Sequence, residues 1–298
     1  MNKKKAQNRF VFACLAPAVI LVVIFMVIPT IDVFKTAFFK KSNFVSDATF
    51  AGFFNFKVLF NDMRFIEAMQ NTILYVVLIT IITLVLAVLF ATLLTREEFV
   101  GKNFFRVIFY IPNILSIVVI VGIFSAIYQP TNGILNTFFG MIGLSSLQQQ
   151  WMGNPDVINY SIIGALVWQA IGYYMVMHVA SIDGISQEVY EAASIDGANR
   201  FKQMIHITLP GILPIVLLMS AINVSNILNA GFDQIFNLYN PVVYETGDII
   251  DTYVYRAGLL DMQFSFATAV GLLKSVVGCI LLISCNQMAK KFTDQKIF

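Results

Sequence analysis

Long apolar runs alternate with short polar segments along most of this chain. Runs long enough to cross a bilayer lie at about 10–36, 68–94, 105–128, 157–181, 211–232 and 264–288. Because the hydrocarbon core of a bilayer is about 30 Å thick, a spanning helix needs about 20 mostly apolar residues, and each run meets that length. The pattern predicts an all-α integral membrane protein in which six transmembrane helices form a single domain over residues 1–298.

Composition supports a membrane location. Hydrophobic residues make up 58% of the 298 residues and charged residues 12%, with a mean hydropathy of +0.78, which is more apolar surface than a soluble domain buries. The net charge of +2 comes from scattered Lys and Arg, so no nucleic-acid partner is expected. Cys14, Cys279 and Cys285 lie inside apolar runs without C-x-x-C spacing, so they predict neither a metal site nor a disulfide.

Six spans place both chain ends on one side of the membrane. The basic residues of that side are Lys3, Lys4, Lys5, Arg9, Arg96, Lys102, Arg106, Lys290, Lys291 and Lys296. The positive-inside rule assigns them to the cytoplasm. The loop at 36–67 disagrees, because it holds Lys40, Lys41, Lys57 and Arg64, whereas the outer segments 129–156 and 233–263 contain only Arg256. We therefore expect a multi-pass protein of the cell membrane with cytoplasmic termini.

A polar segment at about 182–210 separates the fourth and fifth spans and is cytoplasmic in this topology. Ser186 is placed to cap a helix, and Asp196-Gly197 should end it, since glycine accepts positive φ at little cost. Asn199 is placed to cap a second short helix that ends before Pro210. The sequence predicts two short helices at an angle. A rigid knob that contacts another protein and an ordinary interfacial loop are both compatible with this pattern.

This segment resembles the EAA loop of ABC-importer permeases. The match consists of Glu191-Ala192-Ala193, then Gly197, then Ile207-x-Leu209-Pro210, at the spacing of that family. Further motifs look like its carbohydrate-uptake branch of maltose-type and oligosaccharide-type permeases: Ala13-x-x-Ala16-Pro17, Asn71-Thr72, Tyr110-Ile111-Pro112, Ala192 to Ala198, and Tyr239-Asn240-Pro241 with 251–259. The last of these resembles the polysaccharide-permease subgroup, and together the motifs cover nearly the whole chain.

The resemblance implies a type I ABC importer permease fold with a cytoplasmic coupling helix that docks in a groove of an ATP-hydrolysing subunit. The coupling residues would be Glu191, Ala192, Ala193, Asp196, Gly197, Leu209 and Pro210. A second homologous permease, two ATPase subunits and an extracellular solute-binding protein would complete an importer for oligosaccharides, embedded in membrane lipid. The chain itself would be no enzyme and would bind no cofactor. ATP and Mg would belong to the ATPase subunits, because the only Gly-Lys pair, Gly101-Lys102, is followed by Asn103 and forms no phosphate-binding loop.

Polar side chains inside the spans are candidates for lining a sugar pathway. Ser220, Asn223, Asn226 and Asn229 recur at three-residue spacing, which places them along one side of a helix. The other candidates are Trp168, Gln169, Tyr173, Tyr174 and Lys274. Polar groups in a membrane must face protein or water. The alternative is that these side chains join neighbouring helices and contact no substrate.

Two other functions stay open at this point. The same loop could serve an importer for a peptide or an anion. A membrane-embedded glycosyl or acyl transferase would need paired carboxylates or a nucleophile beside a base, and no such arrangement is evident on one face. His178 and His206 lack metal-ligand spacing and are interpreted as local hydrogen-bonding residues. Copurification with an ATPase would favour transport over the enzyme.

Overall fold

A computed structural model describes residues 2–40, 48–95, 99–225 and 231–293 of the protein, and most of these are helical. The strands β1 (Phe39–Lys40) and β2 (Thr49–Phe50) form a small antiparallel sheet. The helices are α1 (Asn2–Val22), α2 (Ile28–Ala37), α3 (Phe54–Asn61), α4 (Met63–Leu94), α5 (Lys102–Ile114), α6 (Ile117–Ile127), α7 (Ile134–Met141), α8 (Ile158–Asp183), α9 (Gln187–Ile195), α10 (Arg200–Gln203), α11 (Leu209–Ser225), α12 (Phe232–Leu238), α13 (Tyr244–Gly247), α14 (Ile250–Tyr255) and α15 (Phe264–Thr293).

Within the described ranges, five helical segments are long and apolar enough to cross a membrane. They are Phe10–Ala37, Met63–Leu94, Ile158–Asp183, Arg200–Ser220 and Phe264–Leu281. The first joins α1 to α2 through a π turn at Val23–Val27. A sixth span arises if α5 and α6, which are bent by 104° relative to each other, cross as one broken helix. The predicted all-helical membrane architecture is therefore confirmed.

The third predicted span, 105–128, is wrong as a continuous helix. Helix α5 ends at Ile114, and Leu115 and Ser116 adopt extended backbone conformations before α6 begins. Pro112 in the last turn of α5 removes a backbone donor, which weakens the helix just before the break. An apolar sequence alone cannot reveal such a break, because both halves remain hydrophobic.

Two helices begin before the predicted spans that they contain. The helix of the second span, predicted from about 68, begins at Met63, because Arg64 and Glu67 lower the hydropathy of a turn that is nevertheless helical. The helix of the fifth span, predicted from about 211, begins at Arg200, so the predicted second short helix continues into that span and does not stop before Pro210. A π turn at Met204–Thr208 carries the helix past this proline, whose missing amide cannot make the usual helical bond.

The larger of two compact units comprises Met63–Tyr253 with Val277–Phe298. Its central element is α8, against which α4, α5 and α11 pack. The crossing with α5 is a backbone contact, because a Cβ added to Gly172 would lie 2.0 Å from the carbonyl oxygen of Phe109. Small residues permit this close approach of membrane helices.

Part of the outer segment 233–263 is buried. In the larger unit, Ile235, Val243 and Ile249 are fully buried, in a cluster that also contains residues of α4 and α8. The backbone amide of Ile250 donates to the Thr72 hydroxyl at 2.9 Å. The short helices that follow the fifth span thus pack apolar side chains against α4 and α8.

The smaller unit comprises Met1–Asp62 with Val254–Val276. It contains the first apolar span, the small sheet, α3 and the first part of α15. Its core cluster consists of Ala37, Ala269 and Leu272, with Phe38 and Phe56 packed against them.

Candidate functional site

The polar segment between α8 and α11, residues 184–208, forms an exposed bend that we call the elbow. Its first helix, α9, has no buried residue and ends where the sequence predicts. Gly197 has a φ of +78°, its amide donates to the Ser194 carbonyl at 3.1 Å, and the Ala198 amide donates to the Ala193 carbonyl at 2.9 Å. These two bonds define a Schellman motif, which closes a helix with a left-handed residue.

The two predicted caps have different outcomes. Asn199 caps α10 as expected, since its side-chain oxygen accepts a hydrogen bond from the Lys202 amide at 2.9 Å. Ser186 does stand at the N-cap position of α9, but its side chain makes no capping hydrogen bond. The side-chain part of the prediction is therefore wrong, and the Val189 amide instead donates to the Ser186 backbone carbonyl at 3.2 Å.

Two side-chain contacts hold α9 against the start of the fifth span. The Tyr190 and Thr208 hydroxyls lie 2.9 Å apart, and the Gln203 side-chain amide donates to the Ser194 hydroxyl at 2.8 Å. Tyr190 and Ser194 are four residues apart and therefore share a helix face. Sequence reasoning missed these residues, although that spacing was visible. The contacts brace the elbow by attaching α9 to the segment that leads into α11.

The outer surface of the elbow carries both charge and exposed apolar groups. Glu191 and Asp196 are exposed, as a docking role requires. Sequence reasoning missed Ile195 and Phe201, whose side chains are 87% and 64% exposed. The described residues leave both side chains largely uncovered, and large exposed apolar groups on a polar segment are typical of protein contacts.

A groove of about 760 Å³ runs between α9, α10 and the adjoining ends of α4, α5 and α8. Its lining includes two acidic residues, Asp183 and Glu191, and two basic residues, Lys102 and Arg200. Polar groups dominate the remainder, such as Thr92, Thr95, Gln187 and Gln203. The elbow is therefore a ridge beside a polar, charged groove. Such a groove suits contact with a soluble protein better than binding of an apolar ligand.

Arg106 of α5 joins the ends of two other helices next to this groove. Its guanidinium donates to the Leu94 carbonyl at the end of α4, at 3.0 Å, and lies 4.0 Å from the Asp183 carboxylate at the end of α8. A cation beside the last carbonyls of a helix interacts favourably with the helix dipole. Sequence reasoning used Arg106 only to orient the spans, whereas the structure places it where α4, α5 and α8 meet.

The remaining coupling candidates lie where the elbow meets the membrane span. Ala192 is exposed and Ala193 is half-buried, so the outer side of α9 offers little side-chain bulk. Leu209 and Pro210 form the exposed first turn of α11. The seven coupling residues thus lie on α9, on the glycine turn and on the first turn of α11, with α10 and the π turn between the last two.

The four pathway candidates of α8 make intramolecular contacts in the larger unit. The side-chain oxygen of Gln169 accepts a hydrogen bond from the Gln234 amide at 2.5 Å, which matches the alternative of joining helices. The Trp168 ring packs edge-on against Phe124, with 5.4 Å between ring centroids. Tyr173 is exposed and makes an edge contact with the half-buried Tyr174.

The polar stripe predicted on the fifth span is described only in part. The Ser220 hydroxyl donates to the Val216 carbonyl of its own helix at 2.7 Å. The Asn223 side chain, Asn226 and Asn229 lie outside the described residues. Lys274 belongs to the smaller unit, where it is half-buried in α15. Its role as a pathway residue stays a prediction.

Both histidines make the local hydrogen bonds expected of them. His178 Nδ1 lies 2.5 Å from the Tyr174 carbonyl oxygen, and His206 Nδ1 lies 3.0 Å from the Lys202 carbonyl oxygen. Each contact joins residues four positions apart in one helix. Within the ranges that the structure describes, His, Cys, Asp and Glu form no cluster of three that could hold a metal ion.

Comparison with known proteins places the chain in a family. The sequence model described as "Binding-protein-dependent transport system inner membrane component" matches residues 84–292. Protein LplB of Bacillus subtilis is 30% identical over 98% of this chain and 92% of its own length. The polygalacturonan/rhamnogalacturonan transport system permease protein YteP of the same organism is also 30% identical, over 99% of this chain and 92% of its own length.

Solved structures agree over the whole fold. A chain of a bacterial ABC transporter involved in the import of the acidic polysaccharide alginate matches with a TM-score of 0.87 and 30% identity, covering 98% of both chains. A chain of a bacterial alginate ABC transporter in complex with an alginate pentasaccharide-bound periplasmic protein matches with a TM-score of 0.88 and 29% identity, covering 99% of this chain and 98% of that one.

Proposed function

This chain belongs to the family of binding-protein-dependent transport system inner membrane components, and we propose that it is one of two permease subunits of an ATP-driven importer for oligosaccharides. The second permease is a homologue with which this chain encloses the pathway. Two ATPase subunits hydrolyse ATP on the cytoplasmic side, and a solute-binding protein delivers the sugar on the other side. This chain neither hydrolyses ATP nor holds a cofactor.

The substrate class that we propose is an acidic oligosaccharide. The relative YteP carries polygalacturonan and rhamnogalacturonan transport in its name, and both matching structures belong to alginate importers. These oligosaccharides carry a carboxylate on each uronate ring. A pathway for them is therefore expected to contain cationic side chains. Lys274 supplies one cation within an apolar span, where a charged residue is typical of a substrate or ion path.

The observation that carries the proposed coupling is the exposed, braced elbow. Helix α9 buries no residue within this chain, whereas the Tyr190 and Gln203 contacts fix it to the segment that leads into α11. Because one side of α9 is exposed and the other is attached to the segment before α11, a movement of a bound partner would be transmitted to the fifth span. We therefore assign the elbow as the docking site of the ATPase subunit.

Ile195 is the residue that we expect to anchor this contact. It lies at the last position of α9, its side chain is 87% exposed, and the neighbouring Glu191 and Asp196 provide an acidic rim. Interfaces concentrate their binding free energy in a few desolvated apolar or aromatic residues with polar surroundings. Burying an Ile side chain contributes about 1.5–3 kcal/mol, so Ile195→Ala should weaken ATPase binding roughly 10-fold or more.

The test is an assembly and uptake experiment with the complete transporter in vesicles. Ile195→Ala should lower both the amount of ATPase retained on the membrane complex and the ATP-driven uptake of uronate oligosaccharides. The matched control is Met141→Ala, because Met141 is the last residue of α7 and is 81% exposed, in a segment assigned to the opposite side. Equal ATPase retention in the Ile195 variant and the wild type would refute the anchor.

Substrate class is tested separately from coupling. The solute-binding protein that copurifies with the transporter should bind uronate oligosaccharides in a titration against a panel of acidic sugars, neutral sugars and peptides. Binding of neutral sugars alone would remove the acidic assignment and keep the saccharide function. Binding of peptides alone would replace the saccharide by another solute.

A further inference from the structure

An aromatic surface follows the first span in the smaller unit. We call residues 48–61, with β1 at Phe39–Lys40, the interface segment. Phe50 and Phe53 are 73% and 75% exposed, and Phe60 is 55% exposed. Phe50 and Phe53 contact neighbouring Phe rings along one edge, and the rest of their surface is exposed. A group of exposed aromatic rings on a protein surface marks an interaction site.

The segment is nevertheless held firmly against the end of the first span. The buried side-chain amide of Asn55 donates to the Ala37 carbonyl at 2.8 Å and to the Phe39 carbonyl at 2.9 Å. Leu59, one turn further along α3, is fully buried. Because buried amides of this kind are costly to leave unpaired, the position of α3 beside the span is well defined.

The exposed residues of α3 are arranged around this buried pair. Lys57 and Asn61 are four residues apart and form a polar strip opposite the buried Asn55 and Leu59. Between the strip and the buried side lie the apolar flanks, with Phe54 and Val58 on one side and Phe60 on the other. With its buried side against the protein and its polar strip toward water, such a helix leaves its apolar flanks at the level where interfacial helices meet the acyl chains.

Contacts with the last span lie in its first three turns. Phe38 and Phe56 pack against the cluster that contains Ala269 and Leu272, which lie in the second and third turns of α15. The segment also follows directly on Ala37, where the first candidate span ends. Phe rings near the end of a span can enter the boundary between headgroups and acyl chains, as the apolar residues of interfacial helices do.

We propose that the interface segment lies flat on the bilayer, with lipid acyl chains against its apolar flanks and anionic lipid headgroups against its lysines. The Lys40 ammonium lies 5.2 Å from the centroid of the Phe54 ring, and Lys57 occupies the polar strip, so both cations stand beside apolar surface. Lipid is the occupant that fits, because the segment lies next to the ends of two apolar spans and carries Lys40 and Lys57 beside its apolar flanks. Basic residues near the surface attract anionic headgroups.

Spin labels at two positions of α3 test this arrangement. Val58→Cys places a label on an apolar flank, and Asn61→Cys places one on the polar strip of the same helix. The native cysteines are replaced by alanine, and the full chain with its copurifying subunits is reconstituted in vesicles of phosphatidylethanolamine and phosphatidylglycerol. Oxygen, which partitions into lipid, and a water-soluble nickel chelate then report the surroundings of each label.

We expect the oxygen-to-nickel accessibility ratio to be several-fold higher at Val58 than at Asn61. Equal nickel access at both positions would show a solvent-exposed surface, and protection of Val58 from both reagents would show a covering protein. Either result overturns the proposal. A Lys57→Glu change should lower the Val58 ratio in vesicles with phosphatidylglycerol and leave it unchanged in phosphatidylcholine alone. An identical ratio in both would overturn the headgroup contact.

Discussion

Gly197 offers the sharpest test of how the elbow works. This glycine adopts a φ of +78°, and a Cβ added there would meet no atom within 4 Å. An alanine therefore costs only backbone strain, with no steric clash. Left-handed backbone costs an ordinary residue about 1–2 kcal/mol, which changes the ratio of correctly formed to altered turn by roughly 5- to 30-fold.

Three substitutions at this position should give a graded series. Gly197→Asn should stay near wild type, because asparagine tolerates the left-handed region. Gly197→Ala should reduce oligosaccharide uptake per ATP hydrolysed, because a fraction of elbows no longer presents α9 correctly. Gly197→Pro should abolish coupled uptake, since proline fixes φ near −65° and removes the amide that donates to the Ser194 carbonyl.

The assay measures uptake and ATP hydrolysis in the same vesicles, and the chain supplies a closely matched control. Gly143 also has a φ of +78° with no atom within 4 Å of an added Cβ. It ends α7 with the same pair of backbone bonds, to the carbonyls of Gly140 and Phe139. Gly143→Ala therefore imposes the same strain at a site away from the elbow.

Both alanine variants should lose similar stability, but only Gly197→Ala should lose coupling. A role of the Gly197 turn in coupling is refuted if Gly143→Ala lowers uptake per ATP as much as Gly197→Ala does. It is also refuted if the proline variant transports normally with full ATPase stimulation.

Two further predictions concern the packing of α5. Arg106→Gln leaves the carbonyl of the preceding helix without its charged donor, so it should destabilise the protein by about 1–3 kcal/mol, measured as a lower thermal midpoint in detergent. The ion pair with the half-exposed Asp183 contributes little to this loss of stability. The thermal midpoint of Arg106→Lys should lie between those of the wild type and the Gln variant. An unchanged midpoint in the Gln variant would contradict the role of Arg106 at the end of α4. Gly172→Ala should cost about 1–3 kcal/mol or more, because the new methyl collides with the Phe109 backbone. Gly122→Ala, where a Cβ meets nothing within 4 Å, is the control, and equal midpoints for the two would argue against the backbone contact.

Sequence patterns predicted those features that depend on neighbouring residues. Hydropathy located the apolar spans, because each helix must match the thickness of the bilayer by its own length. Asp196-Gly197 located the turn of the elbow, and Asn199 the following cap, because both act on backbone groups within three or four residues. Pro210 misled the prediction, since a π turn allowed the helix to continue.

Contacts between distant residues were decided only by the tertiary structure. The pairing of the Ile250 amide with Thr72 spans 178 positions, and the break after Ile114 lies in a run whose hydropathy suits an unbroken helix. Such contacts depend on how the helices pack against one another. An apolar side chain gains similar burial energy from many possible partners, so only the assembled fold determines which residues it contacts. The sequence therefore determined the membrane spans and the elbow, whereas the tertiary structure decided the braces at Tyr190 and Gln203 that connect the elbow to the fifth span.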